Sequence, residues 1–299
     1  PVLVCCSCHW FGFYLRSHPA TPFDPEWHAE TGLKHMYLKC GRLVEYAVYG
    51  STDSSALVLL TCPGSGGTAW LFNKFLDKTY HLTKNNIKGI CISYPGYGAS
   101  DMAPGQLPKH WAAEDVEEVL AVLGVDKFMV DGMSLGSVYA AAVAWHFKER
   151  CLALGLVVPN LDNTICKEHG IMTASKFLFG IPDGCLSFLG MVMCSNAACM
   201  KSCWSSSTWT RTHLQFWDGK TKRYTIGDMI KNEPSMQEQF KANPSLLELL
   251  NDDMNHYLYR GISGAVTIDN SGDHPMNWGF DPRDIQCNRV AVWYAIDDT

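Results

Sequence analysis

Ser134 stands between two glycines at the spacing Gly132-x-Ser134-x-Gly136, in the stretch VDGMSLGSVY. A serine hydroxyl acts as a nucleophile when a base takes its proton and fixed donors hold the oxyanion that forms. The pentapeptide arises by chance in about one of ten chains this long, so its surroundings decide. An apolar run, KFMVD, precedes it, and a helical run, LGSVYAAAVAWHFK, follows. A serine in that strand–turn–helix setting is lifted onto a sharp turn, and small flanking residues let the chain pass close to its neighbours. The helix N-terminus behind it offers N–H groups and positive potential to a developing oxyanion. The competing reading is an ordinary turn that happens to hold a serine.

A second glycine-rich turn, CPGSGG at 62–67, follows another apolar strand. Acyl transfer needs a second N–H facing the oxyanion, and such a turn supplies one. The expected donors are the backbone N–H groups of Ser65 and Leu135, with Gly64 and Gly66 shaping the loop. A phosphate cradle is the other use of such a turn, but neither G-K-[ST] nor G-x-G-x-x-G is met. A third turn, YPGYGASD at 94–101, is expected to shape a pocket wall, and Asp131, a charge ending a core strand, needs a partner.

The elements that must position these residues alternate. MYLKC and RLVEYAVYG read as a hairpin around Gly41, and 56–62, 87–94, KFMVDG and CLALGLVVP as further strands. Helices are expected at 69–82, at 110–125 and after Ser134; the second has apolar positions at 111, 112, 116, 119, 120 and 123. Strands alternating with helices imply an α/β fold, a mostly parallel sheet covered on both faces. Residues 161–280 break this rhythm with helical patterns rich in Met, Trp, Cys and Phe, and NRVAVWYAIDD restores it. The expected organisation is an N-terminal arm or anchor remnant (1–33), a first core part (34–160), a helical cap insertion (161–280) and an incomplete second core part (281–299).

Hydrophobic content of 47% and charged content of 18% describe a globular chain, and a net charge of −6 argues against nucleic acid. The opening run PVLVCCSCHWFGFYLR reads equally as the remnant of a targeting or anchor segment, with membrane association through it, or as an arm packed on the domain. Cys62, Cys91 and Cys151 are expected as buried free thiols, and Cys185, Cys194, Cys199 and Cys203 cluster in the insertion. The absence of an N-x-[ST] sequon favours a reducing compartment, and cytoplasmic location is the expectation. No cofactor and no metal are expected, since no ligand set is evident.

In order and spacing the three turns resemble the α/β-hydrolase superfamily, over roughly 34–160 and 285–299. The similarity is greatest to its esterase, epoxide-hydrolase and haloperoxidase-like branch. HWAAEDVEEVLAVLGVDKFMVDGMSLGSVYAAAVAW is particularly similar to plant and algal members of unassigned substrate. The resemblance implies an α/β-hydrolase fold in which Ser134 is the nucleophile and Gly64 and Ser65 belong to the oxyanion loop. It places the acid of the triad at Asp298, with Asp297 the neighbouring choice. It further implies hydrolysis of an ester or similar acyl bond of an apolar small molecule through an acyl-enzyme. A non-catalytic binding protein, an acyltransferase or a lyase on the same residues are the alternatives. Two departures are Cys62-Pro63 in place of a histidine-containing turn and Ser137 where a second glycine is usual. The family's histidine follows the acid, and the sequence stops one residue past Asp298. The expectation is therefore a fragment cut at both ends, with the histidine beyond the chain end, an exposed last strand and little esterase activity by itself.

Overall fold

The computed structural model describes residues 22–64, 66–103, 105–159, 238, 241–257, 259 and 278–294. Seven strands form one sheet: β1 (Lys34–Tyr37), β2 (Leu43–Gly50), β3 (Leu57–Cys62), β4 (Ile87–Ile92), β5 (Phe128–Met133), β6 (Cys151–Val157) and β7 (Val290–Trp293), in the order β1-β2-β4-β3-β5-β6-β7. β1 pairs antiparallel with β2, and β2 antiparallel with β4. From β4 through β7 all pairings are parallel. The central strands fall where expected, because a strand covered on both faces reads as a continuous apolar run, whereas β1 covers Lys34–Tyr37 and not MYLKC at 36–40, being a largely exposed edge strand without such a run.

The helices fall on both faces. α1 is Pro25–Thr31, α2 is Ala69–Tyr80, α4 is Leu135–Phe147 and α5 is Pro244–Tyr257. Between α2 and α4, Pro108–Trp111, a π-helical turn at Ala112–Val116 and Glu117–Val122 run on as α3. Alternation along β4 separates the two cores. Ile90 and Ile92 join the large cluster with Trp111, Val116 and Leu120, while Cys91 joins a smaller one with Ala47, Tyr49 and Ala69 at the start of α2. α4 is apolar nearly all round and mostly buried, with Val138 and Ala141 against Trp278 and Leu135, Tyr139, Ala140, Val143 and Phe147 in the main core.

Two expectations change. Tyr94 and Tyr97 do not line a pocket wall; both are fully buried. They pack edge-on to one another, Tyr94 against Trp111 and Tyr139, Tyr97 against Tyr257 of α5. The N-terminal arm also contains a helix that the sequence reading did not separate, α1, capped by Asp24 and ended by Gly32 at φ 75°.

Cys62, Cys91 and Cys151 are buried free thiols, as expected. Among the described residues β7 pairs only with β6, and Val290, Val292 and Trp293 are half exposed. The opening run, the cysteines of the insertion and Asp298 lie outside the described residues, as does most of 161–280. No described helix is long and apolar enough to cross a membrane.

Candidate active site

Ser134 joins β5 to α4 with φ 52° and ψ −122°. A side chain in that region costs about 1–3 kcal/mol and persists only when its surroundings hold it there. Here the Ser134 N–H donates to the carbonyl of Val157 at the end of β6, 3.0 Å away. Its own carbonyl accepts from the Ser137 N–H at 3.0 Å and from the Ser137 hydroxyl. Ser137 therefore ties down the turn.

Close packing explains the glycine spacing. A Cβ on Gly132 would lie 2.2 Å from the Gly136 carbonyl oxygen, and one on Gly136 would lie 2.1 Å from that of Cys62 and 2.5 Å from that of Pro63. The elbow is thus wedged against the turn after β3. Gly64 of that turn faces it: a Cβ there would stand 3.7 Å from Ser134 Cβ and 3.3 Å from the Met133 carbonyl oxygen. The Pro63 carbonyl accepts from the Tyr94 hydroxyl at 2.8 Å, so YPGYG braces the turn from the core side. The turn closes with Gly67 N–H on the Gly64 carbonyl at 3.0 Å, and Gly66 takes φ 78°. Leu135 opens α4, so its N–H is among those at a helix start with no acceptor inside the helix.

The structure thus brings Gly64, Gly132, Ser134, Leu135 and Gly136 together, with Gly66 in the same turn as Gly64. Ser65 and Asp298 lie outside the described residues. Among the described residues no histidine is hydrogen-bonded to Ser134; two of them converge on Glu45 instead. His256 Nε2 stands 2.9 and 3.0 Å from the two Glu45 carboxylate oxygens, and His28 Nε2 stands 3.2 Å from Oε2. The Ser93 hydroxyl donates to Oε1 at 2.6 Å and the Ala99 N–H to Oε2 at 3.2 Å. Burial would raise the Glu45 pKa, but the charge and hydrogen bond of His256, followed by the polar contacts of His28 and Ser93, bring it down to about 2. The sequence reading missed this cluster. Its signal was a glutamate inside the apolar strand LVEYAVYG, which needs a partner wherever the strand is buried.

No curated protein matches the sequence. The family model described as alpha/beta hydrolase fold matches residues 58–184. A hydrolase from Pseudomonas aeruginosa PA01 superposes with a TM-score of 0.52 at 15% identity, over 88% of this chain and 90% of that one. A carboxylesterase from Nitrososphaera gargenis gives 0.50 at 12% identity, over 87% and 79%. The enol-lactonase from Burkholderia xenovorans LB400 gives 0.50 at 12%, over 87% and 80%. The chain has the α/β-hydrolase fold.

Within this α/β-hydrolase fold Asp131 sits one residue before the elbow, and its carboxylate Oδ1 is buried without a hydrogen-bond partner among the described residues. Thr61, its register neighbour on β3, has its hydroxyl buried beside it and lowers the carboxyl's pKa by less than burial raises it. Burial pushes the Asp131 pKa up from its ordinary 3.8 to about 6. A carboxyl raised in the folded state binds more protons there than in the unfolded chain, so it lowers stability as the pH climbs through that window. Asp131→Asn should therefore be more stable than wild type at pH 7.5 by about 1–3 kcal/mol, a gap that closes below about pH 4. Urea titrations at the two pH values measure this. A variant less stable at pH 7.5 would mean that the carboxylate has a partner and that burial is not its governing influence.

Proposed function

We propose that this chain is a serine hydrolase acting on an ester or similar acyl bond. The observation that carries the reading is Ser134 held at φ 52° between β5 and α4, with Gly64 of the neighbouring turn against its Cβ. The strain has a use: it lifts the hydroxyl off the end of the sheet while the N–H groups of α4 stay behind it.

In this mechanism a histidine outside the described residues takes the Ser134 proton as Oγ bonds to the acyl carbon. The carbonyl π pair moves onto oxygen, and the N–H groups of Leu135 and Ser65 hold that oxyanion. Collapse of the tetrahedral adduct expels the alcohol, which receives the proton from the histidine, and leaves an acyl-Ser134 ester. Water, deprotonated by the same histidine, then releases the acid and restores the serine. Asp298 orients the histidine. The carboxylesterase and the enol-lactonase that share the fold support an ester or lactone carbonyl as the target. The Trp, Met and Phe content of 161–280 favours an apolar acyl or aromatic group on it. Cytoplasmic location is part of the same proposal, with attachment to a membrane through the N-terminal run as the alternative.

A fluorophosphonate probe on the full-length protein tests this. It should label Ser134, and Asp298→Asn should slow labelling by about two to four orders of magnitude while Asp297→Asn leaves it unchanged. Labelling absent from wild type would point instead to a binding protein that keeps the elbow without its chemistry. Slowing by Asp297→Asn alone would move the acid by one residue.

A further inference from the structure

The turn at 63–67 is held on its entry side by Tyr94 and Gly136, and its exit side is held by a helix from far along the chain. Thr68 directly follows the turn, is fully buried, and caps α2 by accepting from the Trp70 N–H at 3.2 Å. Its own N–H donates to Asp253 Oδ2 at 3.3 Å, and its hydroxyl donates to Asp253 Oδ1. Asp253 is on α5 and is itself buried.

A second route reaches the next residue. The Ala69 N–H donates to Ser93 Oγ at 3.0 Å, the Ser93 hydroxyl donates to Glu45 Oε1 at 2.6 Å, and that carboxylate is held by His256. Asp253 and His256 are three apart on α5, hence on one face of it. One helix face thus grips Thr68 directly and Ala69 through Ser93 and Glu45. The end of α5 is fastened in turn to α1. Trp27 stacks on Tyr259 with ring centres 3.6 Å apart and on His256 at 5.2 Å, and the Tyr259 hydroxyl accepts from the Asp24 N–H at 2.9 Å.

We propose that Asp253 is a positioning residue for the oxyanion turn: through Thr68 it fixes where the turn that brings Gly64 against Ser134 ends. This rests on the serine-hydrolase reading above. An N–H aimed at an oxyanion acts at full strength only when it is already in place, and a misplacement of about 1 Å costs as much as a hundredfold in rate. Asp253 touches no reacting atom in this arrangement, so its loss acts on turnover and not on substrate affinity. A buried carboxyl that only stabilised the fold would leave the turn's N–H groups and the ratio of kcat to KM as they were.

The test combines hydrogen–deuterium exchange of the peptide covering 63–71 with steady-state hydrolysis of p-nitrophenyl butyrate by the full-length protein. Asp253→Ala should raise exchange at 66–69 about tenfold or more, and lower kcat about tenfold or more with KM within about twofold. Asp253→Asn still offers Thr68 an oxygen acceptor and should stay within about threefold of wild type in both measurements. If Asp253→Ala does not fold, Thr68→Val, which removes only the hydroxyl side of the contact, carries the same expectation. Unchanged exchange in both variants overturns the proposal. So does raised exchange with unchanged kcat, which would make the contact structural only. Failure of the underlying reading is a separate event, seen as turnover retained by Ser134→Ala, and the exchange result stands or falls without it.

Discussion

Ser134→Ala in the full-length protein should lose about four or more orders of magnitude in turnover of p-nitrophenyl esters while keeping its fold. No other group in the elbow can take over. Gly132 and Gly136 carry no side chain, Leu135 has an apolar one, and the Ser137 hydroxyl is committed to the Ser134 carbonyl. The substitution leaves the backbone at φ 52° and the same surroundings, so circular dichroism and the urea midpoint should not move appreciably. Ser134→Gly is the informative companion. Glycine adopts positive φ freely, so it should match the alanine variant in lost activity yet gain about 1 kcal/mol in stability. Turnover near wild type in either variant would remove Ser134 from the chemistry.

Gly136→Ala should be among the most destabilising single-methyl changes in the chain, by about 3 kcal/mol or more. The added carbon would lie 2.1 Å from one backbone carbonyl oxygen and 2.5 Å from the next, those of Cys62 and Pro63. Neither is the end of a flexible side chain. Cys62 is the last residue of β3, paired with Gly132 on β5, and the Pro63 carbonyl is held by Tyr94. Relief requires α4 to back away from the turn, which also pulls Gly64 away from Ser134. The variant should therefore lose stability and turnover together, in contrast to Ser134→Ala. A urea midpoint within error of wild type would show that α4 and the turn are not in the contact described.

The sheet was legible because its signals are local. ALVLLTC, IKGICISY and KFMVDG are continuous apolar runs ending in glycine or proline turns, and each became a strand within two residues of its expected bounds. The elbow was legible for the same reason, since strand, serine and helix are contiguous. α1 carried its own signals and was still overlooked: Asp24 as cap, Pro25 in the first turn and Gly32 as a left-handed stop, all in a segment read for its apolar start. The π-helical turn at Ala112–Val116 left no trace, because apolar spacing is nearly the same for either winding. The burial of Tyr94 and Tyr97 was misread since turn residues alone do not say which side an aromatic ring takes. What the sequence could not give was partnership at a distance: Glu45 meets His256 across 211 positions, and Thr68 meets Asp253 across 185. A lone glutamate in a strand announces that a partner exists without naming it.

The return of α5 to Thr68 and Glu45 also bears on how this chain tolerates change in length. Residues 158–243 connect two fixed points, the end of β6 and the start of α5. Closing a chain loop becomes dearer only slowly as it grows, by about 0.6 kcal/mol for each doubling. Breaking a buried ion pair such as Glu45–His256 costs about 3–5 kcal/mol. The anchors therefore outweigh any plausible lengthening or shortening of what they enclose. An architecture of this kind ties the far end of the connecting segment back to the sheet at Thr68 and Glu45, whatever that segment's length.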